Sequence, residues 1–191
     1  TSLGTQKVLI VEAYDRWNAQ HTGTNHQLVM NFADALTANS RAYDSCTNEA
    51  ALLGTVNINN YDIVIWLCGE ESTEHETFSA AEQTLLETSL QAAGRPFASG
   101  AKTGRNPPHQ AHNANDSPND AAFFQDYLKA TYAADDADVY TARGATGTGF
   151  DGLTFSFDDG THGTYNAEYP DVLGPTGGSS ICLYYGPSGS D

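Results

Sequence analysis

The chain has 191 residues, with 24 acidic against 8 basic side chains and a formal charge of −16. A surface of that sign repels nucleic-acid phosphates and anionic headgroups, so neither nucleic acid nor membrane is an expected partner. No apolar run approaches the ~20 residues of a membrane-spanning helix, and the length suits one domain with one sizeable core.

In chain order, Val8-Leu-Ile-Val11 is a continuous β-branched and aliphatic run, and predicts a strand over 7–13 covered on both faces. It ends in Glu12-Ala-Tyr-Asp15-Arg16-Trp17. Leu28, Val29, Phe32, Ala35 and Leu36 recur at helical spacing and predict a helix over 25–39, with Asn25 as its N-cap. A short second strand falls at 41–44 or 55–58. The strongest strand signal is 62–68, which runs into Gly69-Glu70-Glu71-Ser72. Ser79-Ala-Ala-Glu82 reads as a capping box opening a helix to Ala93, stopped by Gly94. Pro96–Ser99 is a further strand. This alternation is the βαβ signal of a parallel sheet.

Beyond it the pattern changes. Residues 102–119 are rich in Asn, Pro and His and read as a long loop. A helix is expected over 120–132, then strands at 139–141, 153–158 and 179–185. Leu153, Phe155 and Phe157 alternate with polar residues, which suits a half-exposed antiparallel pair. The fold class expected is α/β: a three-layer flavodoxin-like domain with a mainly parallel central sheet and a β-hairpin addition in the C-terminal third. One domain over 1–185 and a mobile tail over 186–191 follow.

The runs Lys7–Trp17, Tyr61–Ser72, Phe78–Glu82 and Pro96–Ala101 together resemble a module of secreted bacterial multidomain proteins. That module is similar to the class I glutamine amidotransferase-like superfamily, which includes the ThuA-like and DJ-1-like proteins. The resemblance implies an extracellular location and neighbouring domains in a larger secreted protein. In the superfamily a nucleophile, commonly cysteine, sits on the turn after a central strand. The matching turn here, Phe97-Ala-Ser-Gly-Ala101, places Ser99 there. Related modules continue into another strand and a closing helix, so a truncated domain with an uncovered edge or face is expected.

Ser99 is the candidate hydroxyl nucleophile, or else a small residue that close packing requires. Its base would be His162, which follows a strand and is flanked by glycines, with His109 and His112 of the long loop as the others. Glu70 and Glu71 lie at one strand end, and Asp15 and Arg16 at the adjacent one, at the switch point of a 2-1-3-4-5 strand order. Two such carboxylates can split their pKa values and act as acid and base; alternatively Arg16 pairs with a glutamate and pins two loops. Asp15, Arg16 and Trp17 are the candidate substrate contacts.

The histidines form no metal signature, and no phosphate-cradling loop or dinucleotide fingerprint occurs, so neither metal nor cofactor is expected. Asp135-Asp-Ala-Asp138 and Asp158-Asp-Gly160 are expected to form turns rather than a calcium loop. Cys46, Cys68 and Cys182 lack C-x-x-C spacing; Cys68 and Cys182 are expected to be small buried hydrophobes, and one bridge between two of the three stays open. The functional expectation is a secreted hydrolase-like domain acting on a polar carbohydrate or peptide-type polymer. The alternative is a non-catalytic accessory module that binds glycan or a neighbouring domain through exposed aromatics such as Tyr14 or Trp17.

Overall fold

The computed structural model describes residues 6–15, 27–71, 77–101, 103, 118–161 and 166–186. In chain order they form β1 (Val8–Glu12), α1 (Gln27–Ala38), β2 (Tyr43–Thr47), α2 (Asn48–Leu52), β3 (Ile63–Gly69), α3 (Ala80–Gln91), β4 (Pro96–Gly100), α4 (Pro118–Asp126), β5 (Ala130–Ala134), β6 (Thr141–Gly144), β7 (Thr154–Ser156), β8 (Val172–Pro175) and β9 (Leu183–Tyr185). The first four strands make an all-parallel sheet in the order β2-β1-β3-β4. β1 and β3 are neighbours, with Val8 opposite Ile63 and Glu12 opposite Leu67.

Strand alternation sorts the core into two clusters. Leu9, Val11, Val64, Trp66 and Cys68 pack with Ala51 of α2, Leu86 of α3 and Phe123 of α4. Val8, Ile10, Tyr14, Ile65 and Leu67 pack with Leu28 and Ala33 of α1. Helices therefore lie against both faces, which is why the two best strands carry unbroken apolar runs. The capping box at the start of α3 is present, with Ser79 and Glu82 exchanging bonds.

Two antiparallel sheets follow, β5-β8 and β7-β6-β9. In the three-stranded sheet Phe155, Ala142 and Tyr185 stand in one row across the strands. Phe157 continues that face, with its ring 6.0 Å from Phe155 and 5.9 Å from Tyr185. The expected alternation of Leu153, Phe155 and Phe157 is thus an apolar sheet face.

Several boundaries differ from the sequence reading. The helix expected over 120–132 ends at Asp126, Lys129 turns the chain at φ 57°, and β5 begins at Ala130. Thr131 and Tyr132 are good strand formers, and Gly174 and Leu173 of β8 offer them a backbone partner. The second strand is Tyr43–Thr47; the rival stretch closes instead into a short 3₁₀ turn at Ile58–Asn60. Tyr14, read as an exposed aromatic, is buried, because it falls on the α1 side of β1 and its ring lies over Gly69. Cys68 is buried, whereas Cys182 is exposed just before β9, where the small sheet has little covering it. All three cysteines are free thiols. Asn25 and the 187–191 part of the tail lie outside the described residues.

Candidate functional site

Two places at the carboxyl end of the parallel sheet hold polar side chains. The first joins the ends of β1 and β3. The Asp15 backbone N–H donates to Glu71 Oε1 at 2.7 Å, tying the two strand ends together. Asn48 at the start of α2 donates through Nδ2 to Asp15 Oδ2 at 2.9 Å and to Glu82 Oε1 at 3.0 Å. The other Glu82 oxygen accepts from the Ser79 N–H and hydroxyl, both at 2.8 Å. Glu71 is 2% exposed and Glu82 3%, while Asp15 is exposed and Glu70 half-buried.

Burial pushes the Glu82 carboxyl above its ordinary range; the bonds from Asn48 and Ser79 oppose that rise, and the Asp15 charge adds to it. Burial drives the Cys68 thiol well above its usual range, and Glu71, Glu82 and Asp15 push it further. A thiol held protonated in an apolar core is chemically inert. The chemistry of this cluster is that of a clamp: each of Asp15, Asn48, Glu71 and Glu82 joins one element to another. Gly69 is part of it. At φ +58°, a Cβ there would sit 2.8 Å from the Tyr14 ring, so the turn out of β3 admits only glycine without strain.

The second place surrounds Ser99, half-buried next to Leu67 in the β3–β4 register. The turn after it is tethered on two sides. Ala101 donates to Gly69 O at 2.9 Å, and its carbonyl accepts from the Asp171 N–H at 3.0 Å. A Cβ on Gly100 would meet Cys68 Cβ, Gly69 O and Thr103 Cγ2, each at 3.0 Å. Small residues are required here by packing. Ser99 lines a cavity of about 230 Å³ together with Thr103, Phe157, Asp171 and Tyr185. Phe157, Asp171, Leu173 and Tyr185 also line a larger cavity of about 570 Å³ between the two antiparallel sheets. The two have Phe157, Asp171, Leu173 and Tyr185 as a common wall.

The structure brings Asp15 and Glu71 together and sets Ser99 on a different surface, whose lining includes none of Asp15, Glu70 or Glu71. Arg16, Trp17, His109, His112 and His162 lie outside the described residues. Sequence reasoning missed Asn48, Asp171 and Tyr185. Asp171 is buried, and Tyr185 donates its hydroxyl to the Asp171 carbonyl at 2.7 Å. Burial, with the charges of Asp171 and Asp136, pushes that hydroxyl up to about 12. The only signal for these residues was the strand reading of 179–185, because their proximity depends on how β8 and β9 are placed. The aspartate runs form turns: Asp136 accepts from the Asp138 N–H and Asp158 from the Gly160 N–H, each at 2.8 Å.

No family model matches the chain, and no curated protein or solved structure matches it either. Nothing in those comparisons ties it to a glutamine amidotransferase-like superfamily.

Proposed function

We propose that the chain is a ligand-binding accessory module of three-layer, flavodoxin-like build, working in an extracellular multidomain protein. Its ligand would lie in the groove between the antiparallel sheets, reaching Ser99 at the end of β4. The observation that carries this reading is the groove: a concave surface walled by Phe157, Leu173, Leu183 and Tyr185, with few polar groups among them. Such a lining is the usual composition of a ligand site. The carboxylates at the β1 and β3 ends are already engaged in joining loops and helices, which favours a positioning role for them. Soluble glycan oligomers and short peptides, titrated against the full chain, test the proposal. Binding of either that Phe157→Ala and Tyr185→Phe weaken supports it; saturable binding of neither sinks it.

A second reading, a hydrolase acting on a polar carbohydrate or peptide polymer, is favoured by one observation. Ser99 stands half-buried at a strand end and shares its cavity with the buried Asp171. Labelling by a fluorophosphonate that Ser99→Ala abolishes would move the assignment to this reading.

A further inference from the structure

Resting on that reading of the groove, we propose that its occupant is a cationic, extended segment of polypeptide, in which lysine or arginine side chains alternate with aliphatic ones. Three observations on different levels lead there.

The first is the uncovered sheet face. Phe155 and Tyr185 flank Ala142 on one side of β7-β6-β9; Ala142, Phe157, Leu183 and Tyr185 line the cavity of about 570 Å³, and Phe155 extends the same face beyond its lining. Leu153 is 51% exposed, and Phe155 and Leu183 are each 39% exposed. An apolar face of this kind marks an interaction site.

The second is charge. Residues 130–186 contain seven aspartates and Glu168 against one lysine or arginine, Arg143. That guanidinium sits 4.7 Å over the Tyr184 ring, and Arg143 alternates with Ala142 to the other side of the sheet. Of these carboxylates Asp171 lines the groove, and the charge of Asp136 is close enough to act on the Tyr185 hydroxyl. A neutral glycan would gain nothing from this field, an anionic one would be repelled, and a second copy would bring its own charge of −16. A lysine or arginine satisfies both features, since its aliphatic stem covers apolar surface while the charged head reaches carboxylates or an aromatic face.

The third is the sheet edge. Among the described residues β7 and β9 pair only with β6, so each offers an outer edge to which an extended chain can add backbone hydrogen bonds.

The test uses the full chain and three probes: a fluorescent nonapeptide of alternating Lys and Leu, its Glu/Leu counterpart, and cellohexaose. The Lys/Leu peptide should bind about tenfold or more tightly than the Glu/Leu peptide. Its affinity should fall as salt rises from about 0.01 to 0.15 M, where the screening length shortens from ~30 to ~8 Å. Phe155→Ser and Leu183→Ser, both at exposed positions, should each weaken it about tenfold, the scale of a lost interface anchor. Asp136→Asn should weaken it by a smaller factor. Binding that ignores Phe155→Ser and Leu183→Ser would overturn the proposal, since general attraction to a polyanion would explain it. Cellohexaose binding at this face with no response to the Lys/Leu peptide would overturn the cationic partner and leave the groove reading intact. No binding by any probe would overturn both. A concentration-dependent dimer in sedimentation, abolished by Phe155→Ser, would overturn the proposal in favour of a second copy.

Discussion

Residues before and after Lys129 are held together in different ways. Up to Phe124, the described residues bury Trp66, Tyr14, Phe78, Phe123, Phe124 and fourteen aliphatic or small apolar side chains around four parallel strands. In the described part of 130–186 the buried residues are Ala142, Ala145, Pro170 and Asp171, none of them a large apolar side chain. The first region is fixed by area removed from water. The second is fixed by backbone ladders, Asx turns and a few ring contacts, and it keeps its aromatic residues half-open. Regions with few buried apolar contacts open locally at low free-energy cost, and ligand-binding elements are drawn from them. On the proposed reading, the ligand lies against the second region and the first supports it.

The sharpest way to break this comparison is to remove one ring from each region. Phe123, 2% exposed, packs 5.3 Å from Phe78 and 6.1 Å from Tyr127, so Phe123→Ala should cost about 3–5 kcal/mol. Phe155→Ser should cost less, about 0.5–1.5 kcal/mol, the worth of its ring contact with Phe157. Denaturant melts give both values, and equal losses would refute the two-region picture. Hydrogen exchange adds a second check: amides of β1 and β3 should be protected far longer than those of β6, β7 and β9.

Gly69 ties the core to the clamp. Gly69→Ala must either hold a Cβ at φ +58° against the Tyr14 ring or shift the turn that carries Glu71. We expect a loss of about 1–3 kcal/mol. Unchanged stability in that variant would mean that the clamp tolerates movement and does not fix the strand ends.

The legibility of the sequence divides at the same place. Val8–Val11 and Ile63–Leu67 announced parallel, doubly covered strands, because burial on both faces leaves no polar alternation to misread. Ser79 and Glu82 announced their helix start through local chemistry alone. The Leu153, Phe155 and Phe157 alternation pointed to a half-exposed antiparallel pair, and β7 pairs antiparallel with β6. What stayed hidden needed distant pairing: β5 within an apparent helix, and β8, whose Val-Leu-Gly-Pro has no strong local signal. The same holds for the candidate site. Asp15 and Glu71 were readable as strand-end neighbours, but Asn48 joins them only through the packing of α2 against α3. Asp171 and Tyr185 meet Ser99 only once the antiparallel sheets are in place.

The clamp predicts a pH dependence in the mildly acidic range. Glu82 has a folded pKa raised above its ordinary 4.5, chiefly by burial. Between 4.5 and the raised value the folded state holds more protons than the unfolded state, so the slope of unfolding free energy with pH is negative there. This stabilising contribution is complete below the unfolded pKa and is lost as pH rises through the folded one. Glu82→Gln should flatten that slope in melts recorded across mildly acidic pH. It should also lose part of the charge-assisted bonding from Asn48 and Ser79, so its stability at neutral pH is a separate reading. A slope identical to the parent's would mean that another carboxyl carries it.

The smallest expected effect concerns how α3 ends. Gly94 donates to Ser89 O at 2.8 Å and Ala93 to Leu90 O at 3.1 Å, the paired bonds of a Schellman stop. In such a stop the residue in the left-handed conformation is usually glycine, yet here it is Ala93, at φ 67°. Gly94 is needed for a different reason: a Cβ there would lie 2.7 Å from the Ser89 carbonyl oxygen. The two positions therefore respond oppositely. Ala93→Gly relieves a left-handed alanine worth about 1–2 kcal/mol, but glycine also adds freedom to the unfolded chain, so a net gain of about 0.5–1 kcal/mol is expected. Gly94→Ala should destabilise. Because α3 packs on the parallel sheet, Ala93→Gly should raise the melting temperature while leaving exchange in β6, β7 and β9 unchanged. Slower exchange in those strands would show that the antiparallel region borrows its stability from the core and does not open independently of it.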